Sequence, residues 1–180
     1  MHEIEVKILE INKDEVISKL ESLGAKKIFE GIVAGGALDF PDKRIVKKDE
    51  LLRLRRENSV IKLVYKEKSP IEGVSSCNEF EVEVSDFDKT LKIFNLIGVD
   101  FIAKNSKLRT SYTLDGVRFE IDEIQGDDPY IPTFLELEVD GDVDKIFVYA
   151  EKLGFKKEDC LDWHGWKLKE HYLANPHSKK

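Results

Sequence analysis

An α+β fold built on antiparallel strands, about eight of them and able to close into a barrel, is what this sequence predicts. Three observations carry that reading. Glu3-Ile4-Glu5-Val6-Lys7, Glu79-Phe80-Glu81-Val82-Glu83 and Glu136-Leu137-Glu138-Val139 alternate charged and apolar residues, the two-residue period of a strand with one polar face. Each runs into an acid- or Asn-capped amphipathic segment that stops at Leu-Gly or Ile-Gly, at Gly24, Gly98 and Gly154. Between them lie hairpin-like strand pairs, so the helices follow only the first, middle and late strands, which argues against a doubly wound sheet. About eight strands is also a number that closes into a small barrel, with the charged face inside.

Taken in order, residues 2–11 form a strand with Ile4, Val6 and Ile8 on one face and Glu3, Glu5 and Lys7 on the other. Asn12 caps a helix, with Glu15 as its capping-box partner. Val16, Leu20 and Leu23 are its buried stripe, and Gly24 ends it. A second strand covers 26–34, and Gly35-Gly36 marks a bend before Leu38, Asp39 and Phe40. Residues 50–57 and 60–68 make a hairpin around Asn58, with Arg53 and Arg55 sharing one face and Lys62 and Lys66 another. Ser69–Ser76 is a loop. The acidic strand 78–84 leads to a helix capped by Asp86, with Leu91, Phe94 and Ile97 as its stripe. Residues 99–113 carry Lys107 and Arg109. Asp115-Gly116 turns the chain into 117–124, where Arg118, Glu120 and Asp122 share a face. A loop with Pro129 and Pro132 precedes the third acidic strand. The last amphipathic helix uses Val143, Ile146, Phe147, Ala150 and Leu153, and a tail helix over about 158–173 holds Trp163 and Trp166 and packs on, or closes, the end of the sheet.

A chain of 180 residues reads as one domain, 1–180, with room for a sizeable core. Its net charge of −7 is a poor match to non-specific nucleic-acid binding, which leaves a basic footprint. Cys77 and Cys160 form no CxxC pair, in keeping with a reducing cytosol. The N-terminus opens into a charged strand rather than an apolar leader. No apolar run approaches the roughly 20 residues of a membrane span. The expectation is a soluble, cytoplasmic protein, monomer or homodimer, with no nucleic-acid or membrane partner. Cys160, His164 and His171 fall at helical spacing but are too few for a zinc site, and read as helix surface.

The charged faces point to chemistry. One solvated strand with alternating charge is commonplace, but here the signs look segregated. Glu3/Glu5, Glu79/Glu81 and Glu136/Glu138 stand on one side, and Arg53/Arg55, Lys62/Lys66 and Lys107/Arg109 on the other. Carboxylates are hard oxygen ligands for Mg²⁺ or Mn²⁺. Arg and Lys bind phosphate, the first by bidentate contacts and the second as a point charge. Both sets on one concave face describe a seat for a metal-chelated polyphosphate. There is no Walker loop and no GxGxxG.

These residues resemble the CYTH superfamily, the triphosphate tunnel metalloenzymes, which includes class IV adenylyl cyclases and thiamine and inorganic triphosphatases. Glu3-x-Glu5-x-Lys7 is similar to its ExExK signature, and Arg53-x-Arg55, Lys62 with Lys66, Glu79-x-Glu81, Lys107-x-Arg109, Asp122 and Glu136-x-Glu138 follow in the family's order along nearly the whole chain. The resemblance implies an eight-stranded antiparallel tunnel with helices outside, holding triphosphate and divalent metal, Mg²⁺ or Mn²⁺. By carry-over, the metal side is Glu3, Glu5, Asp122, Glu136 and Glu138. The phosphate side is Lys7, Arg53, Arg55, Lys62, Lys66, Lys107 and Arg109. Glu3, Glu5, Lys7 and Asp122 are the catalytic candidates, and Glu79 and Glu81 are tunnel residues that orient the basic ones. A basic residue of the tail helix, Lys167 or Lys169, is expected to reach the tunnel. The Gly126–Pro132 loop is longer than in the simplest members.

Three activities fit this reading: a metal-dependent triphosphatase acting on a nucleoside, inorganic or organic triphosphate, a class IV adenylyl cyclase, and a polyphosphate-binding module. The full acidic set weighs against simple binding, and triphosphatase is the leading expectation.

Overall fold

The computed structural model describes residues 2–126 and 131–174. Eight strands close into a barrel: β1 (His2–Ile8), β2 (Lys26–Asp39), β3 (Leu51–Glu57), β4 (Val60–Lys68), β5 (Ser75–Glu83), β6 (Asp100–Leu114), β7 (Val117–Gln125) and β8 (Phe134–Val139). Around the barrel they run β1-β5-β4-β3-β2-β6-β7-β8, and every neighbouring pair is antiparallel. Closure leaves no sheet edge to template aggregation. The helices among the described residues are α1 (Lys13–Ser22), α2 (Phe87–Leu96), α3 (Asp144–Lys152) and α4 (Gly165–Ala174). No helix among the described residues is long and apolar enough to cross a membrane.

The two-residue period decides which way each strand faces. Ile4, Val6 and Ile8 of β1, Phe119 and Ile121 of β7, and Leu135 and Leu137 of β8 turn outward and are sealed by Val16 and Leu20 of α1 and Ile146, Tyr149 and Ala150 of α3. On the other flank α2 lays Leu91 and Phe94 over Leu54, Ile61 and Leu63 of β3 and β4. Each of these large side chains contributes on the order of 1.5–3 kcal/mol by leaving water. Local signals set the ends. Asn12 Oδ1 accepts from the amides of Asp14 and Glu15, and Asp86 accepts from the Lys89 amide. Asp115 and Gly116 have φ of 50° and 81°, the positive values a two-residue hairpin needs.

Four sequence expectations change. β2 does not bend at Gly35-Gly36 but runs on to Asp39. A Cβ on Gly36 would lie 2.1 Å from the Ala103 carbonyl oxygen, and one on Gly35 2.2 Å from that of Leu54. The glycines serve close approach of β6 and β3, not a corner. β1 stops at Ile8 instead of continuing to residue 11. Leu23 and Ile97 are exposed, each lying past the last turn of its helix. The tail is not one helix over 158–173 either. Lys157–Asp159 is a 3-10 turn, and Leu161 then exchanges two backbone hydrogen bonds with Lys7, both 2.9 Å, before α4 begins at Gly165. That bridge lies where β5, which pairs with β1 only over His2–Glu5, no longer reaches. Pro129 and most of the Gly126–Pro132 loop fall outside the described residues.

Candidate active site

Strand register turns the charged faces into one lumen. In an antiparallel ladder, directly paired residues project to the same side. Glu5 pairs with Glu138, and Lys7 with Glu136, across β1 and β8. Glu120 pairs with Glu136, and Arg109 with Asp122, around β7. Arg55 pairs with Lys62, and Lys66 with Glu79, around β4. The missing arc is β2, whose lumen face is small: Gly31, Val33, Gly35 and Ala37 lie opposite Arg109, Lys107, Arg55 and Arg53. Those short side chains leave the long cations volume to occupy. The expected metal-side and phosphate-side residues, with Glu79 and Glu81, are therefore on the inner face of a single barrel, whereas Lys167 and Lys169 lie on α4, and Lys167 pairs with Asp162.

The signs fall into two arcs, mostly cations on β4, β3 and β6 and mostly carboxylates on β7, β8, β1 and β5. The two arcs meet through their long side chains, so most cations contact a carboxylate. Lys7 Nζ lies 2.7 Å from Glu5 and 3.0 Å from Glu136. Lys66 bonds Glu3 and lies 3.2 Å from Glu79. Arg109 is a hub. It holds Asp122 through Nε at 2.7 Å and Nη2 at 2.6 Å, reaches Glu136 at 2.7 Å, and contacts Glu120. Lys107 adds a bond to Asp122. The physical reason is desolvation, because a buried carboxylate persists only beside a cation. Sequence could not display this, since it depends on register between distant strands.

Arg53 is the exception in making no ion pair among the described residues. Its Nε, like that of Arg55, is buried with no hydrogen-bond partner, and burial together with the neighbouring Arg55 and Arg109 charges lowers its pKa. An arginine in a lumen with no carboxylate partner is a candidate anion seat.

The acids divide into two groups. Burial alone would raise Glu136, but Lys7, Lys107 and Arg109 hold it well below the usual carboxylate range. Burial and the charges of Glu3 and Glu120 push Glu138 up to about 8, against the weaker opposing charges of the half-exposed Arg118, 3.6 Å away, and of Lys66. Among the described residues no three His, Cys, Asp or Glu side chains converge closely enough to hold a metal ion. In charge and donor chemistry, however, the Glu3, Glu5 and Glu138 oxygens fit a hard divalent cation. Asp122 and Glu136, expected with them on the metal side, are instead gathered on Arg109.

Three lumen residues lay outside the expected set. Glu57 bridges Arg55 and Lys62, Glu120 pairs with Arg109, and Arg118 approaches Glu138. For the last two a signal existed in the alternation Arg118-x-Glu120-x-Asp122. Cys77, opposite Glu3, also lines the lumen, where burial raises its thiol pKa to about 12.

Residues 1–159 match the CYTH domain. The chain belongs to the CYTH family. A Methanocaldococcus jannaschii protein named "Putative adenylate cyclase MJ0240" is 30% identical to it over 142 residues, 77% of each chain. The PH1012 protein of Pyrococcus horikoshii superposes with a TM-score of 0.76 at 26% identity, covering 92% of this chain and 98% of the other. A Hippeastrum protein, "Putative adenylyl cyclase HpAC1", described as revealing a dominant triphosphatase activity, superposes with a TM-score of 0.68. It covers 94% of this chain and 95% of its own, and at 16% identity it speaks for the fold alone. In this CYTH protein the family match ends before Leu161 and α4, yet both pack on the barrel. Leu168 and Tyr172 are buried against Phe134 in the cluster completed by Leu9 and Trp163.

Proposed function

We propose that this CYTH protein is a divalent-metal-dependent triphosphatase whose substrate lies in the barrel lumen. The observation that carries the reading is the cationic wall: Lys7, Arg53, Arg55, Lys62, Lys66, Lys107 and Arg109 come from β1, β3, β4 and β6 to one inner face, with the Arg53 and Arg55 Nε atoms unsatisfied. A chain of three phosphates can span these strands, whereas a single phosphate can engage only a few of the cations.

Glu3, Glu5 and Glu138 are the residues that would hold Mg²⁺ or Mn²⁺, which supplies charge neutralisation of phosphate oxygens when bound. The protein's own part is positioning and electrostatics. Although burial opposes its charge, Glu136 and Glu5 keep Lys7 ionised, so it serves as a phosphate partner and not as a base. Asp122, anchored by Lys107 and Arg109, fixes both cations toward the lumen. Arg53, Arg55, Lys62 and Lys66 neutralise charge developing on the phosphoryl oxygens as water attacks the terminal phosphorus.

A second reading, cyclisation of ATP by attack of the ribose 3′-hydroxyl on the α-phosphorus, is favoured by the name of the M. jannaschii relative. Incubation with Mg²⁺ or Mn²⁺ and either tripolyphosphate or ATP, with the products resolved, separates the two. Orthophosphate supports the triphosphatase. Cyclic AMP with pyrophosphate replaces it with the cyclase.

A further inference from the structure

At one place in the lumen two cations are directly opposed. Arg55 on β3 and Lys62 on β4 are cross-strand partners, an arrangement that repels unless an anion sits between them. The chain supplies its own. Glu57 lies 2.8 Å from Arg55 Nε and 3.0 Å from Lys62 Nζ, and Glu81 lies 3.0 Å from Lys62 and 3.4 Å from Arg55. The four side chains form a closed square of alternating sign, each no more than 29% exposed. Glu57 is two residues along β3 from Arg55, at the end of the strand, before the Asn58 turn.

We propose that Glu57 is an internal competitor for the Arg55–Lys62 anion seat, a carboxylate that an incoming phosphate chain must displace. The inference rests on the triphosphate reading of the lumen and deepens it. Arg53 makes no ion pair with a carboxylate among the described residues, whereas the neighbouring Arg55–Lys62 seat is filled by the protein's own carboxylates. Breaking two ion pairs to admit a phosphate weakens binding, and their re-formation expels the product. Glu57 thus trades affinity for release.

This gives a sign opposite to that of a residue that merely orients Arg55 and Lys62. Losing an orienting residue weakens anion binding, whereas losing a competitor strengthens it. The test is calorimetric titration of wild type and Glu57→Gln with orthophosphate and with tripolyphosphate, in metal-free buffer, alongside steady-state kinetics. With one charge removed next to two cations, both anions should bind at least about tenfold tighter. KM should fall with them, and inhibition by orthophosphate should strengthen. Glu57→Asp keeps the charge but retracts it by one methylene. It should tighten binding less, and its sign carries the test if the Gln variant does not fold. Unchanged or weaker anion binding in a folded variant overturns the proposal. A wild type that takes up no tripolyphosphate overturns the functional reading instead, and the orthophosphate comparison then still decides the role of Glu57.

Discussion

Glu5 on β1 and Glu138 on β8 stand directly opposite one another in the lumen wall. Glu5 has Lys7 at 2.7 Å, but the Glu138 contact with Arg118 is long and half exposed. Opposed like charges cost stability, and in this account the cost is accepted so that a cation can be held. Glu138→Gln removes the repulsion and keeps the shape. In metal-free buffer it should raise the melting temperature by about 2–4 °C, while turnover is lost. A variant that turns over normally removes Glu138 from the metal side.

The same residue predicts a pH dependence. Glu138 has its pKa at about 8 in the folded chain, against an ordinary value of 4.5. Between those values the folded state holds more protons than the unfolded one, so its contribution to stability falls as pH rises. Below about 4.5 Glu138 contributes no slope, and above about 8 the loss is complete. Urea unfolding of the metal-free protein across that window should show the decline in wild type and less of it in Glu138→Gln. Identical slopes would mean that Glu138 does not carry the shift.

Arg109 and Arg53 should separate stability from binding. Arg109→Ala leaves Glu120, Asp122 and Glu136 without their shared partner. Breaking a buried pair on one side costs about 3–5 kcal/mol, so a large drop in the urea midpoint is expected. Arg53 Nε makes no hydrogen bond. Arg53→Ala should leave the midpoint near that of wild type yet weaken tripolyphosphate, because a charge-assisted bond contributes about 1.5–3 kcal/mol. Equal effects of the two changes on both quantities would contradict the division.

Much of this was legible in the sequence because the strand period is local. Glu3-x-Glu5-x-Lys7 and Glu136-x-Glu138 fix their own facing, so the charged lumen and the helices outside it followed from spacing. The departures came from pairing between distant segments. Gly35 and Gly36 look like a bend until Leu54 and Ala103 are placed beside them. The two signs look unconnected in the sequence until Lys7 is set against Glu136 and Arg109 against Asp122. Glu57 carries no motif at all, and only the β3–β4–β5 register reveals its partners.

The segment beyond the family match makes its own contribution. Leu168 of α4 is buried against Phe134 and Tyr172. Leu168→Ala should destabilise the protein by about 2–5 kcal/mol, read as a lower urea midpoint. An unchanged midpoint would mean that α4 does not contribute to the stability of the barrel.

Attack of water on the terminal phosphorus of a triphosphate held in the lumen can be followed by turnover of ATP with Mg²⁺ or Mn²⁺ in ¹⁸O-labelled water and mass analysis of the products. Orthophosphate carrying one ¹⁸O from solvent, with unlabelled ADP, is expected. Cyclic AMP with pyrophosphate, or label in the nucleotide product, would contradict it.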